Sequence, residues 1–251
     1  DDHIYHESLV HPSMSQMEHP KTVLICGGGE GSTLREVLKY TSVTKVVMID
    51  IDEELVSLCK KHMPETHKNS FDDKRVTFYF QDAREFLEKN PDIMFDCIFL
   101  DLTMPQLNNL SVSLFTKEFF ELAKKHLVPN GCIATEAQST DIRFVTVYAS
   151  IINTMQSVFD IVQPYSAYIP LFFEEWGFVF ASNYYDPQKL DEKTIDDNLK
   201  GLDTKYYDGI THTKMFSLAK DTRNALKITG RIMTDDNPNK IKYFFKLSGN
   251  S

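Results

Sequence analysis

The sequence predicts an α/β protein built on a doubly wound, mostly parallel sheet, and three observations carry that expectation. From residue 21 onward, short apolar or β-branched runs alternate with amphipathic segments. The runs are apolar almost throughout rather than at every second residue, as strands covered on both faces are. A glycine turn, Gly27-Gly-Gly-Glu-Gly31, joins the first run to the segment after it.

Taken in order, strands are expected at 22–26, 45–50, 76–81, 95–100 and 132–136. Helices are expected between them at 32–39, 53–60, 83–88 and 117–126. Pro129-Asn-Gly131 is a turn signal that should end the fourth helix before the fifth strand. A longer helix is expected over 143–159. Two further strands, 161–169 and 176–182, are close enough to pair as an antiparallel hairpin around 170–175. The tail beyond Tyr184 is polar, with one helical piece near 216–226. The expected organisation is a lead-in over 1–20 that carries two helix-compatible pieces, a catalytic domain over 21–185 and a C-terminal extension over 186–251.

The 251 residues allow one large domain with appendages, and 42% hydrophobic composition supports a sizeable core. The formal net charge of −9, with scattered lysines, argues against nucleic acid or an anionic membrane as partner. Cys26, Cys59, Cys97 and Cys132 lack metal-type spacing and read as reduced core thiols. No window reaches transmembrane length and the N-terminus is no signal peptide, so a cytoplasmic location is expected.

In an open parallel sheet, ligands bind beyond the carboxyl ends of the strands. This chain places a carboxylate there five times: Glu30 in the glycine turn, then Asp50, Asp82, Asp101 and Glu136 after successive strands. Singly, Asp50 and Asp82 read equally well as helix caps and Glu136 as a surface residue. The series at one edge favours function. Asp50 lies about twenty residues beyond the turn, where an acid accepts ribose hydroxyls. The turn is not G-x-G-x-x-G, so a single nucleoside is favoured over a dinucleotide. An acid inside it would repel a phosphate and attract an ammonium. S-adenosylmethionine carries both an ammonium and a carboxylate, whereas its decarboxylated form keeps only the cation, which Glu30 would attract.

Several motifs in order complete the pattern: Tyr5-His-Glu-Ser-Leu-Val-His-Pro12, His19-Pro-Lys-Thr-Val-Leu, Gly27-Gly-Gly-Glu-Gly-Ser-Thr-Leu-Arg-Glu36, Val46-Val-Met-Ile-Asp-Ile-Asp52 and Asp101-Leu-Thr. Over residues 1 to about 185 the chain resembles the polyamine aminopropyltransferases, the spermidine, spermine and thermospermine synthases, and looks closest to the thermospermine synthases. Tyr206-Tyr-Asp-Gly-Ile-Thr-His212 resembles the family's C-terminal segment. The resemblance implies a Rossmann-like sheet of seven strands, of the class I methyltransferase type. It also implies an N-terminal β domain in relatives that is largely absent here, and assembly as a homodimer or homotetramer.

The resemblance further implies decarboxylated S-adenosylmethionine as co-substrate, with Gly27, Gly29, Glu30, Asp50, Asp82 and Ala83 binding it. Asp101 becomes the acid beside the attacking amine. Tyr5, His6, Asp101, Glu136, Tyr168 and Glu174 form the polyamine side, and no metal is expected. Two departures bear on the acceptor. Met104 stands where spermidine synthases carry a second acid, and Glu136 stands where the family has glutamine. Glu174, four residues after Pro170, matches the acid of spermine and thermospermine synthases. The expected acceptor is spermidine, with putrescine as the alternative. A methyltransferase and a non-catalytic polyamine-binding relative remain open.

Overall fold

The computed structural model describes residues 1–103 and 110–238. Seven strands, β1 (Thr22–Gly27), β2 (Lys45–Asp50), β3 (Val76–Phe80), β4 (Phe95–Asp101), β5 (Leu127–Ser139), β6 (Ile161–Ile169) and β7 (Glu174–Ser182), form one sheet in the order β3-β2-β1-β4-β5-β7-β6. The first five are parallel, and β7 runs antiparallel to both β5 and β6. The strand order reverses between β1 and β4, where such a sheet opens a crevice at its carboxyl edge.

Among the described residues the α-helices are α1 (Asp2–Met14), α2 (Ser32–Leu38), α3 (Glu53–His62), the single turn α4 (Pro64–His67), α5 (Ala83–Lys89), α6 (Lys117–Lys125), α7 (Thr146–Gln156), α8 (Glu192–Asn198), α9 (Gly209–Met215) and α10 (Lys220–Ile228). Asp52, Asp82 and Thr116 cap α3, α5 and α6 through their side chains, so three strand-to-helix turns carry their own start signals. Two buried clusters cover the two faces of the sheet. One packs Phe86, Phe119, Phe120 and Tyr148 against it, and the other packs Leu9, Val10, Leu34 and Phe178. Burial on both faces explains why the strands read as continuous apolar runs.

Three expectations about elements are corrected. The opening residues form one helix of thirteen residues, of which His6 to Met14 are all buried. Pro129-Asn-Gly131 does not precede the fifth strand but lies inside it as an irregularity. Phe95 faces Leu127 and Cys97 faces Cys132, so three extra residues are absorbed on the β5 side. Among its described residues the tail holds three α-helices, where the sequence predicts one helical piece. It is tied to α1: Tyr207 donates its hydroxyl proton to His212 Nδ1 at 2.6 Å and meets Ser15 Oγ at 3.2 Å. The Glu7 carboxylate accepts the backbone N–H groups of Lys205, Tyr206 and Tyr207.

The four cysteines are free and buried. Among the described residues no helix is long and apolar enough to cross a membrane.

Candidate active site

The glycine turn is shaped by what it must avoid. Gly27 has φ +83°, and a side chain there would place a carbon 2.1 Å from the Asp101 carbonyl oxygen, which accepts the Gly28 N–H at 2.9 Å. At Gly29 an added carbon would lie 3.0 Å from the Asp50 carboxylate. Glycine therefore lets the backbone run against the ends of both neighbouring strands. The result is a cavity of about 340 Å³, lined by Gly27 to Glu30, Asp50, Leu55, Gln81 to Ala83, Asp101 and Leu114, among others. All six residues expected to bind the nucleoside donor line it.

The acids there have distinct surroundings. Asp50 Oδ1 accepts the Asp52 N–H at 2.9 Å, and burial raises its pKa despite that bond. Asp82 both caps α5, accepting the Glu85 N–H at 2.9 Å, and faces the cavity. Capping and lining are compatible, because one oxygen serves the helix and the other is left over.

Asp101 closes the inner end. Its Oδ1 accepts the Tyr5 hydroxyl at 3.1 Å and its Oδ2 accepts Thr33 Oγ1 at 2.6 Å. Burial first, and then the Glu30 charge, push its pKa up to about 6, against the pull of His6, Thr33 and Tyr5. His6 Nε2 lies 2.9 Å from Glu30 Oε1 and 3.9 Å from Asp101 Oδ2. Glu30 is thus not a bare acid projecting from its loop. The helix α1 brings a ring to it.

Beyond Asp101, aromatic rings lead to a second group of acids. Tyr5 packs edge-on against Phe172 at 6.3 Å between centroids, and Phe172 lies 4.6 Å from Trp176. The Trp176 indole N–H donates to Glu136 Oε2 at 3.1 Å. Glu136 is only 2% exposed, which excludes the surface alternative, and burial drives its pKa up to about 8. β5 continues three residues past it and bulges between Glu136 and Gln138. Gln138 takes φ +76°, a costly angle for glutamine, and the bulge sends Ser139 to meet Trp176 across the strands. Ser139 Oγ donates to Glu174 Oε2. Glu174 and Trp176 alternate onto one face of β7.

Two acceptor-side expectations fare differently. Tyr168 pairs with Glu175 across the hairpin, and cross-strand partners share a face, so it stands on the side opposite Glu174 and Trp176. Half exposed, it belongs to the other surface. Only the hairpin register shows this, because alternation counted straight through residue 170 would put 168 and 174 on one face. Met104 lies outside the described residues. Sequence reasoning missed Thr33, Gln81, Trp176 and Ser139. Thr33 was visible in the glycine motif itself, whereas Trp176 and Ser139 join the site only through pairing of β5 with β7.

The chain matches the spermine/spermidine synthase domain over residues 2–193. It belongs to that family. A curated relative, polyamine aminopropyltransferase 2 of Hyperthermus butylicus, is 41% identical over 242 residues, 95% of this chain and 78% of the relative. Among solved structures, spermidine synthase from Thermotoga maritima aligns with a TM-score of 0.81 at 29% identity, over 91% of this chain and 76% of that one. A spermidine synthase in complex with the transition state analogue AdoDATO aligns with a TM-score of 0.81 at 30% identity, over 91% and 77%. The family is one of transferases, and the seven-stranded sheet with its antiparallel pair is the fold of those spermidine synthases.

Proposed function

We propose that this chain is an aminopropyltransferase that moves the aminopropyl group of decarboxylated S-adenosylmethionine to spermidine, releasing methylthioadenosine. The observation that carries the reading is the double membership of Asp101. It lines the nucleoside-sized cavity and also accepts a hydrogen bond from Tyr5, the first of the rings that lead to Glu136 and Glu174. Donor and acceptor would meet at that carboxylate.

In the cavity, Asp50 would hold the ribose, Asp82 with Ala83 the adenine edge, and Glu30 the aminopropyl ammonium. The reaction is a displacement at the carbon beside the sulfonium. The leaving group departs neutral and needs little acid help. The nucleophile is the difficulty. An alkylamine titrates near 10.4, so freeing its lone pair at pH 7 costs about 4–5 kcal/mol. Asp101, with a pKa of about 6, is ionised at pH 7 and positioned to accept that proton. The rest of the rate would come from holding amine and carbon in line.

A nearby anion also stabilises the ammonium form, which works against attack. The gripping acids should therefore meet the distal nitrogens and leave Asp101 alone at the reacting one. Glu136 and Glu174 lie along the far side in that order, and an acceptor with three nitrogens uses both. Burial holds the Glu136 pKa up at about 8, and an ammonium beside it would favour its ionised form.

Assaying the purified protein with labelled decarboxylated S-adenosylmethionine and either spermidine or putrescine tests the assignment. Product from spermidine is expected. Product from putrescine alone would reassign the acceptor and make the protein a spermidine synthase. Methyl transfer from the carboxylated cofactor would overturn the donor.

A further inference from the structure

His6 raises a proton question that the proposed reaction does not use. Its Nδ1 lies 2.7 Å from the Asp2 backbone carbonyl, an atom that only accepts, so Nδ1 carries a hydrogen. A neutral ring would then present a bare lone pair at Nε2. Nε2 lies 2.9 Å from Glu30 Oε1, an oxygen that accepts no hydrogen bond from any other group, and 3.9 Å from Asp101 Oδ2, so two carboxylates flank the ring nitrogen as ion-pair neighbours. A bare lone pair so placed would face two negative oxygens with little solvent to screen them, whereas an imidazolium would be attracted to both, so the surroundings favour the ring with both nitrogens protonated.

The groups around the ring agree. Asp101 faces it from β4 at 3.9 Å, and Glu30 faces it from the turn after β1. Arg35, the nearby cation on α2, is engaged with the Asp2 carboxylate at 2.9 Å and with Glu36 at 2.8 Å. On its own helix, Tyr5 packs edge-on against the ring at 4.8 Å. Glu136 on β5 raises Tyr5 and is itself raised by the Asp101 charge, and it is not among the groups that move His6. Burial disfavours the imidazolium, but the Glu30 bond and the charges of Asp101 and Glu30 outweigh it, so His6 titrates above its ordinary value.

We propose that His6 is a proton-releasing placeholder for the donor's ammonium: when the aminopropyl amine reaches Glu30, the proton on His6 Nε2 leaves to solvent. The inference rests on the donor reading above. The exchange balances in charge. Before binding, an imidazolium and a carboxylate form a neutral pair. Afterwards a neutral imidazole stands beside an ammonium–carboxylate pair, and one proton has gone to the buffer. Keeping both cations on one carboxylate would set like charges side by side in a site where burial leaves little solvent to screen them. Neutral His6 then presents a lone pair at Nε2, 3.9 Å from Asp101 Oδ2.

Calorimetry at pH 6.5 in two buffers of different protonation enthalpy tests this, comparing the wild type with His6→Gln and using decarboxylated S-adenosylmethionine and methylthioadenosine as ligands. A group that titrates above 6.5 is at least half protonated there. The wild type should thus release at least about half a proton more than the variant on binding the donor. Release from Glu136 is common to both proteins and cancels in the difference, whereas Asp101 loses the pull of His6 in the variant, so the ring's own proton is read separately by NMR. Methylthioadenosine, which has no ammonium, should show no difference. Nitrogen-15 NMR of the wild-type imidazole should show both ring nitrogens protonated in the empty site and one after the donor binds, which keeps the test independent of how the variant folds. Equal release in both proteins, or a ring still doubly protonated with donor bound, would overturn the inference alone. Failure of decarboxylated S-adenosylmethionine to bind at all would remove the donor reading together with it.

Discussion

The donor half and the acceptor half of the site are built by different means. Glycines 27 to 29, Glu30, Asp50, Asp82 and Asp101 all stand at carboxyl ends of parallel strands or in the turns that follow them. Each is fixed by a few neighbouring residues, and the parallel register delivers them to one edge. The acceptor half draws Tyr5 from a helix that precedes the sheet, Glu136 from a bulged strand and Glu174 from an antiparallel hairpin, and the same helix reaches back to set His6 against Glu30 of the donor half. Its geometry depends on pairings distant in sequence. The comparison teaches that one half can hold a common donor while the other varies in what it accepts.

Asp101 belongs to both halves, so replacing it should have the largest effect. Asp101→Asn is expected to lower kcat by about 10²- to 10⁴-fold, the usual worth of a positioned base, while methylthioadenosine still binds. Calorimetry with that ligand checks it, and lost binding would mean that Asp101 serves the donor cavity alone. Next comes Glu30→Gln, which removes one charge-assisted bond worth about 1.5–3 kcal/mol and should raise the donor KM roughly 10- to 100-fold without weakening methylthioadenosine. Equal weakening of both ligands would place Glu30 on the nucleoside instead.

The pH profile separates the halves without mutation. Asp101 titrates at about 6, and only its ionised form can take a proton. From pH 7 down to 5 the ionised fraction falls, so kcat/KM should drop roughly tenfold, and it should level off above 7 as far as this group is concerned. A flat acid limb would argue that the proton goes elsewhere. The smallest effect is expected at the far end. Glu174→Ser should raise KM for spermidine by roughly five- to tenfold, about 1–1.4 kcal/mol, and leave putrescine nearly unchanged. Parallel changes for both amines would remove the distal-nitrogen role.

Most of the fold could be read from the chain, since strands buried on both faces declare themselves as apolar runs and the turns carry their own caps. The legible part of the site follows the same line. Glu30, Asp50, Asp82 and Asp101 each end or follow a run that is visible as a strand. Trp176 and Ser139 were not legible, because each gains its role only when β5 meets β7. Tyr168 was misplaced for the same reason: one residue of register moves a side chain to the opposite face.

The sequence by itself determined the parallel sheet, the glycine turn and the row of carboxylates at its edge, because those are consequences of local pattern and of one topological rule. Tertiary structure alone decided that α1 lays His6 against Glu30 and Tyr5 against Asp101. It also decided that burial sets Asp101 and Glu136 about two pH units apart, at about 6 and about 8. A carboxylate's identity is written in the chain. Its proton affinity depends on the charges and solvent that the folded neighbours leave around it.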